Sequence, residues 1–463
     1  MAQPPARSDS NERTAPAAPR HAHPDFRNLR FDEDWTEVTR SRGVGDAIKA
    51  MPVTPGGALT LTLGGQVRWR EEFVRGFTLR DLDDDHSQSR LLVSADLRVG
   101  RGNGLRARAF VEGRDAQSYG RTLPGGAGPS DKDRHDVQNL FGEVGYGPSF
   151  LRLGRQEIAI NRERMFGVPD WANTRRGSQG THLQLTRGAL TLELLDVRPV
   201  VVRQILKNRA DTAARVHMVS VGSSASAVPL ARGLPAVWQG YVIEQRLRAP
   251  ASATKRVTVG GRTVWRASDT SGRHQYSLEL ESAIQRGSSG INPLRAWFWV
   301  AEFSVEWRRV HGVPSLALGV EEASGERSSS PTVREGFVTL YPAAHAHGGY
   351  ADVIGRTNMR EVHLIGTWAP LRTLSLRGAA YHFARLSLED GAWTKQNTVF
   401  RAADGSTARH VADEVDLTGS WRVTRHLVAI AGGAVLRPGA FLTGTAAGAR
   451  TERWSFVGSA FTF

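Results

Sequence analysis

Arginine is the residue whose type and spacing point most directly to chemistry in this chain. Of its 60 basic residues five are lysines, so 55 are arginines. Between Arg90 and Arg114 they alternate with leucine, valine and alanine in two runs joined by a glycine-rich turn. A guanidinium group keeps its charge in almost any environment, and its planar fork matches a carboxylate or a phosphate. The pattern therefore indicates recognition of anions.

These arginines are expected to lie on the inner faces of β-strands, because successive side chains of a strand point to opposite sides. We predict that they line a wet interior and can contact an anionic solute; they are Arg68, Arg70, Arg90, Arg98, Arg106, Arg108, Arg114, Arg152 and Arg377. Four carboxylates are expected on the same inner faces, namely Asp96, Glu112, Glu414 and Asp416. The alternative role for each arginine is an ion pair that stiffens the wall, which contributes little in a wet lumen.

Histidines and carboxylates offer weaker alternatives. His345, His347 and Asp352 could form a metal site or an acid/base pair of a hydrolase at the outer rim. No third ligand follows at a clear spacing, so we expect these residues to be solvated in a long loop. The run from Asp81 to Asp85 could hold Ca²⁺, but a solvated acidic loop is the expected case. We therefore predict no metal, no cofactor and no catalytic residues.

The elements that position the arginines are alternating runs between Leu59 and Phe463. We count eighteen of them, an even number, with short turns at one end and long loops at the other. The predicted fold is all-β, a single antiparallel transmembrane β-barrel with short periplasmic turns and long extracellular loops. The count is least certain at residues 223–235, where a short turn is required and the sequence offers a longer Gly/Ser/Ala-rich connection.

Composition agrees with a barrel. The 463 residues have a mean hydropathy of -0.34 and contain no run of about 20 apolar residues, as a membrane helix requires. We expect aromatic girdles at the two interfaces, formed by Trp69, Tyr146, Trp297, Trp299, Trp307, Trp368, Trp421 and Trp454. The terminal Phe463, with apolar residues at alternate positions before it, resembles the signal that outer-membrane barrels present to their assembly machinery.

Three regions are expected along the chain. Residues 1–25 are rich in Pro, Ala, Arg and Ser and are expected to form a disordered N-terminal tail. Residues 26–58 are predicted to form a periplasmic lead-in that plugs or caps one end of the barrel, and residues 59–463 form the barrel itself. No signal peptide is visible, and Ala2 and Gln3 after Met1 have the character of a processed terminus, so we expect a mature exported chain.

The charge of +14 and the pI near 10.7 also fit a soluble nucleic-acid binder. Against that interpretation, the basic residues alternate with outward leucine and valine in many strands instead of forming one patch. The absence of cysteine excludes a disulfide framework and thiolate chemistry but does not fix the compartment.

Several stretches carry a resemblance to a known family. They are FRNLRFDEDW near the start, LRLGRQEIAINRERMFGVPDWANTRRGSQG from Leu151 to Gly180, HAHGGYADVIGRTNMREVHL from His345 to Leu364, and DEVDLTGSW with LRPGAFL near the end. As a set they are similar to the alginate export family of outer-membrane proteins, and they span Phe26 to Phe463. The resemblance implies an eighteen-stranded barrel and an anion-selective conduit, which in the type member serves a polyuronate leaving the cell.

The expected function is thus an outer-membrane channel of a Gram-negative bacterium that passes anionic solutes, foremost a polyuronate such as alginate. A general porin for small anionic or neutral solutes is the alternative, since lumen chemistry rather than fold sets the solute. An outer-membrane hydrolase is a more distant one. The expected partners are the solute or polysaccharide, membrane lipids with lipopolysaccharide, and the barrel-assembly machinery through Phe463. We expect a monomer that binds no nucleic acid.

Overall fold

The computed structural model describes residues 25–36, 45–100, 104–223, 236–248, 253–329, 331–444 and 449–463. The predicted tail at residues 1–25 therefore lies almost wholly outside the described residues. Eighteen long strands make up the wall: β1 Leu59–Arg75, β2 Asp83–Val99, β3 Leu105–Tyr119, β4 Asp133–Tyr146, β5 Ser149–Gln156, β6 Ser178–Arg187, β7 Leu190–Val201, β8 Ala214–Ser223, β9 Ala236–Leu247, β10 Thr254–Ser268, β11 His274–Ser289, β12 Asn292–Trp307, β13 Ser315–Ala323, β14 Met359–Leu371, β15 Leu374–Arg385, β16 His410–Arg422, β17 Leu427–Pro438 and β18 Glu452–Thr462.

The eighteen strands close on themselves as an antiparallel barrel. Each strand pairs with the next along the chain, and β1 pairs with β18 in a register that runs from Gln66 opposite Thr462 to Arg75 opposite Arg453. The terminal Phe463 is tied to β1, because its N–H donates to the carbonyl of Gly65 at 3.0 Å and its own carbonyl accepts from the Gly65 N–H at 2.9 Å. Closure satisfies the sheet edges that would otherwise remain unpaired. The predicted fold and strand number are confirmed.

Short strands and helical turns lie outside the eighteen strands of the wall. Short strands are Met51–Pro52, which pairs with β1, Arg209–Ala210, which pairs with β7, and the pair Ala392–Trp393 and Val399–Arg401. Helical turns are Arg30–Asp32, Asp46–Ile48, Pro55–Gly57, Phe77–Leu79, Ala344–Ala346 and Ala440–Thr443.

None of the described helices is long and apolar enough to cross a bilayer.

The alternation of side chains sorts the wall into two faces. On β1 the side chains of Val67 and Trp69 are 48% and 46% exposed, whereas those of Arg68 and Arg70 between them are buried inside. Leu91, Val93, Leu105 and Val111 of the β2–β3 hairpin are likewise exposed on the outside. The apolar residues thus form the outer face, as the period of two predicts, and the guanidinium groups face inward.

The structure corrects several details of the sequence prediction. Strand β2 begins at Asp83, so Asp83 to Asp85 are not part of a solvated loop: Asp84 is buried beside Arg121. Trp454 does not belong to a girdle, because its indole points inward and donates to Glu72 at 2.8 Å. One connection at the long-loop end has only two residues, since β11 and β12 continue pairing up to Ser289 and Asn292. The doubtful connection at 224–235 lies outside the described residues, but β8 and β9 pair directly beside it.

Candidate functional site

Three segments enter the barrel and narrow its lumen. The entry segment, residues 25–36, approaches from the short-turn end, where β1 begins. The first loop, residues 157–177, joins β5 to β6, and the second loop, residues 331–358, leads into β14. Backbone polar groups need partners wherever water is excluded, and the inward side chains of the wall supply many of them. Many predicted lumen arginines therefore bond to the backbone of these segments.

The first loop rests on three predicted lumen arginines. Arg68 donates to the carbonyl of Asp170 at 2.6 Å and to the side-chain oxygen of Asn173 at 3.1 Å. Arg90 forms an ion pair with the Asp170 carboxylate at 2.8 Å. Arg70 donates to the carbonyl of Trp171 at 2.9 Å, with its guanidinium carbon 3.8 Å from the centre of that indole ring. These guanidinium groups cradle one stretch of loop backbone.

Arg175 joins the first loop, the wall and the entry segment. Its side chain is almost fully buried and donates to Glu157 at 2.7 Å and to the carbonyl of Asn28 at 2.8 Å. It also lies 3.5 Å from Glu112 and 3.4 Å from Asp170. Burial opposes the charge, but the carboxylates of Glu157 and Glu112 outweigh it and raise the pKa of Arg175 above its ordinary value. The predicted lumen carboxylate Glu112 thus serves this buried ionic cluster.

The entry segment is held against β2, β3 and β4. The ring of Phe31 packs edge-on against Phe110 and Phe141, with centroids 5.7 and 5.4 Å away. Arg108 donates to the carbonyl of Phe31 at 2.8 Å, and Arg98 donates to the carbonyl of Glu33 at 2.6 Å. We infer that this part of the predicted lead-in occupies the short-turn end of the lumen.

The predicted lumen arginines of β2 to β5 also have partners among the side chains and turns of the wall. Asp96 accepts from both Arg98 and Arg108, at 2.9 and 2.7 Å. Arg152 pairs with Glu143 at 2.6 Å. Arg114 donates to Asp133 and Gln138, and Arg106 donates to the carbonyl of Gly147 in the β4–β5 turn. Whether any of these groups also touches a solute stays a prediction.

The second loop pairs with the first inside the barrel. Phe166 and Tyr341 form a parallel bridge, the Gly167 N–H donates to the carbonyl of Tyr341 at 2.8 Å, and the Tyr341 N–H donates to the carbonyl of Met165 at 2.9 Å. Arg176 donates to the same Tyr341 carbonyl at 2.8 Å. The two loops therefore form one inner layer, and movement of either one disturbs the other.

Two predicted lumen carboxylates dock the second loop on β16. Glu414 accepts the N–H of Ala351 at 2.8 Å, and Asp416 accepts the N–H of Tyr350 at 3.3 Å. Gly349 lies so close to the wall that a Cβ there would collide with the Glu414 carboxyl group. A side chain at this point would have to displace the Glu414 carboxyl group, and the φ of +80° favours glycine as well.

An aromatic stack stands where the two loops meet. The imidazole of His345 lies between Trp171 and Tyr350, with centroid distances of 4.4 and 4.5 Å and interplanar angles of 15°. His345 bonds to Asp352 at 2.7 Å, and Asp352 also accepts from Lys395 at 2.8 Å. Burial lowers the pKa of His345 in spite of the opposing effect of the Asp352 carboxylate. The expectation that this histidine is solvated is wrong, because the second loop folds inward instead of outward.

Neighbouring groups are fixed in the same way. The Nε2 atom of His347 lies 2.6 Å from the carbonyl of Arg162 in the first loop. Burial alone would raise the pKa of Asp352, but Lys395 and His345 hold it well below its ordinary value. His345, His347 and Asp352 therefore work as packing and ion-pair groups of the inner layer.

A small open cavity lies between the aromatic stack and strands β15 to β18. It is lined by Trp171, His345, Tyr350, Ser375, Arg377, Thr418, Gly419, Ser420, Ile430 and Phe456. Arg377 donates to the hydroxyl of Tyr381 at 2.8 Å and lies over the ring of Tyr350 at 4.9 Å. Its Nη1 atom is buried and makes no hydrogen bond within the described part of the protein, and an Asp416 carboxylate oxygen lies 3.9 Å from it. Arg377 therefore borders an aromatic-walled space and carries one guanidinium nitrogen that the described part of the protein leaves without a hydrogen bond.

Sequence reasoning missed the residues that build the inner layer. Asp170, Trp171 and Arg175 lie in a stretch that the sequence predicts only as a long loop, although the tryptophan and the adjacent arginines Arg175 and Arg176 were a usable signal. A large indole in a loop needs a packing surface, which a solvated loop does not offer. Phe110 was missed because it interrupts an arginine face on β3.

Docking of the first loop is expected to depend on pH through Glu163. Its carboxylate accepts the Val168 N–H at 2.7 Å, and burial raises its pKa from about 4.5 to about 7. The docked loop therefore keeps a proton that a released loop loses, so docking is strongest below about pH 4.5 and weakens as the pH rises through 7. We expect backbone amide exchange at Gly167 and Val168, corrected for its intrinsic rate, to be faster at pH 8 than at pH 5.

Glu163→Gln removes the titrating group and should abolish this difference, whereas Glu389→Gln, at an exposed position in another loop, should retain it. Equal corrected protection at pH 5 and pH 8 in the wild-type protein would contradict the assignment.

Comparison with known proteins identifies a matching family and solved structures with a similar barrel. The alginate export family matches residues 59–456. Solved structures with the same barrel include OccK11 (OpdR) of Pseudomonas aeruginosa, with 15% identity, a TM-score of 0.55 and coverage of 88% of this chain and 96% of that one. OccD3 (OpdP) of the same organism has 9% identity and a TM-score of 0.59, with coverage of 96% of this chain and 99% of that one. OpdK of the same organism, solved with vanillate, has 11% identity and a TM-score of 0.59, with coverage of 87% of this chain and 98% of that one.

At these identities the solved structures show the fold alone. No curated protein sequence matches the chain. The family match covers the chain from the first residue of β1 to the middle of β18, which is nearly the whole barrel. The protein is an outer-membrane channel by architecture, and it belongs to the alginate export family.

Proposed function

We propose that the channel passes anionic solutes that carry a carboxylate on a six-membered ring, such as a uronate unit or an aromatic acid. The observation that carries this proposal is the cavity beside Arg377. The guanidinium of Arg377 has a buried Nη1 atom without a hydrogen bond and lies over the ring of Tyr350, next to the stacked rings of His345 and Trp171. Such a site pairs a charge for the carboxylate with flat surfaces for the ring.

Lining hydroxyls strengthen the proposal. Ser375, Thr418 and Ser420 border the same cavity and can bond to ring hydroxyls. A charge-assisted hydrogen bond contributes about 1.5–3 kcal/mol, which orients a solute without trapping it. Transport requires binding that is favourable enough for entry and weak enough for release.

The inner layer favours small solutes over a long polymer. A polyuronate chain would have to pass both loops and the entry segment, which are tied to the wall through Arg68, Arg175 and Glu414. We therefore propose monomeric or short oligomeric carboxylates as the usual cargo, with polyuronate export as the second candidate because the family is named for it. The crystal structure of OpdK with vanillate, an aromatic carboxylate, fits the first choice.

The partners follow from the same proposal. We propose a monomer in the outer membrane of a Gram-negative bacterium, with Val457 and Phe461 of β18 facing lipid on the outside. The assembly machinery would recognise β18 through Phe463, whose backbone completes the pairing with β1. No catalytic group, cofactor or nucleic-acid partner enters this proposal.

Conductance in planar bilayers tests the function. The wild-type channel is expected to prefer anions in a KCl gradient and to be blocked by glucuronate and by short uronate oligomers. Arg377→Gln should weaken the block about tenfold, because it removes a charge-assisted contact worth at least about 1.4 kcal/mol. Arg187→Gln, at an exposed position of the β6–β7 hairpin, should leave the block unchanged.

Cation preference, or an equal block in the Arg377→Gln channel, would overturn the proposal. Block that appears only with long uronate polymers and not with single residues would favour the export candidate.

A further inference from the structure

A second cluster of chemically capable side chains lies on the outer face of the barrel, away from the lumen. His382 of β15 and Asp413 of β16 are directly opposite each other, and the Nδ1 atom of His382 is 2.7 Å from a carboxylate oxygen of Asp413. The Nε2 atom of His410 is 3.0 Å from the other oxygen of the same carboxylate. Among the described residues this is the group of three potential ligands that could hold a metal ion.

A β-bulge brings the three residues to one face. His410 and Asp413 are three positions apart and would point to opposite sides of a regular strand. The pairing with β15 skips Val411, because Phe383 is opposite Ala412 while Ala384 is opposite His410. Val411 and Ala412 are both completely buried, so the extra residue reverses the alternation. The bulge thus aims both His410 and Asp413 outward.

The side chains of the cluster are partly exposed and lie near the loop end of the barrel. The exposed side-chain fractions are 52% for His382, 37% for His410 and 50% for Asp413. On the same strand Val415 and Leu417 are also exposed on the outer face, nearer the short-turn end. The cluster therefore lies beyond these apolar side chains, and the Nε2 atom of His410 is shielded and has no hydrogen-bond partner among the described residues.

A cation is placed beside the cluster by the strand pairing. Arg437 of β17 is opposite Asp413 in the sheet and is exposed on the outer face. Its long side chain can turn toward water, whereas the two imidazoles already converge on the carboxylate. The rings of His382 and His410 are stacked, with centroids 4.9 Å apart and an angle of 23° between them.

We propose that His382, His410 and Asp413 bind a divalent metal ion of the zinc class, with water completing the coordination. Two imidazole nitrogens and one carboxylate suit Zn²⁺ and its neighbours better than Ca²⁺ or Mg²⁺, which prefer oxygen ligands. The three ligand atoms lie within 4.8 Å of one another. A tetrahedral zinc site needs separations of roughly 3.3 Å, which small rotations of exposed side chains provide. This site is independent of the proposed transport function.

Zinc titration of the full-length, tag-free protein in detergent tests the site. His21 and His23 are first replaced by glutamine, because they form a second potential pair near the N-terminus. This parent protein, treated with chelator, is expected to bind a single equivalent of Zn²⁺ in the micromolar range, and excess Mg²⁺ should not compete. His382→Gln, His410→Gln and Asp413→Asn should each lose this equivalent.

His274→Gln is the matched control, because His274 pairs with Asp269 at 2.8 Å in the same way but belongs to no described group of three ligands. It should bind zinc as the parent does. Substitution with Co²⁺ adds a readout that needs no variant, since imidazole-ligated tetrahedral cobalt absorbs visible light. A parent protein that binds no zinc, binding that persists in the three variants, or cobalt without this absorption would overturn the proposal.

Discussion

Replacing Arg175 by glutamine is expected to raise the single-channel conductance several-fold. Arg175 is the only described cation that contacts Glu157, Glu112 and the Asn28 carbonyl together. Removing one member of a buried ion pair costs roughly 3–5 kcal/mol, because the remaining charges stay buried without a partner. The carboxylates recover hydration only if the first loop and the entry segment leave the lumen, and a wider lumen conducts more ions.

The matched control is Arg80→Gln, which removes an exposed arginine from the β1–β2 loop and should leave the conductance unchanged. Barrel folding in the Arg175 variant is checked by its resistance to unfolding in detergent at room temperature. A folded Arg175→Gln channel with the conductance of the wild type would show that the first loop does not limit the flow of ions.

The wall of the barrel was predictable because it follows a local rule. The contrast between outward Val67 and inward Arg68 needs only the period of two and two solvents of opposite polarity. Strand number follows from counting such runs, and closure follows from the need to pair every strand edge. The errors fell at strand ends, as at Asp83, where charged side chains continue a strand beyond its apolar part.

The interior could not be predicted in the same way. The partner of Arg68 is a carbonyl more than a hundred residues away, at Asp170, and nothing in the local sequence specifies a backbone contact of that kind. Alternation gives the direction of an arginine, but not whether water, a carboxylate or a loop lies in front of it. His345 illustrates the same limit, because its environment depends on Trp171 of another loop.

The structure places the inward arginines in two different environments. Five arginines of β1 to β3 hold loop or entry-segment backbone and so shape the lumen, namely Arg68, Arg70, Arg90, Arg98 and Arg108. Arg377 on β15 has a buried guanidinium nitrogen without a hydrogen bond and lies next to a cavity. This division makes the effects of individual substitutions separable.

Gly349→Val is expected to release the second loop from β16 and to abolish block by ring carboxylates. A Cβ at Gly349 would collide with the carboxyl atoms of Glu414, and a β-branched residue is strained at its φ of +80°. The loop amides of Tyr350 and Ala351 would lose their acceptors on Asp416 and Glu414. The aromatic wall of the cavity would then separate from Arg377.

The control for this variant is Gly405→Val, which imposes a similar backbone strain at a φ of +70° but has open space around its Cβ. Both variants are compared by glucuronate block and by the rate at which a protease cleaves residues 331–358. Gly349→Val should be cleaved faster and blocked more weakly than Gly405→Val, because only the first forces a loop away from the wall. If the two variants behave alike, backbone strain alone accounts for the effect, and the contact between the second loop and β16 does not hold the cavity together.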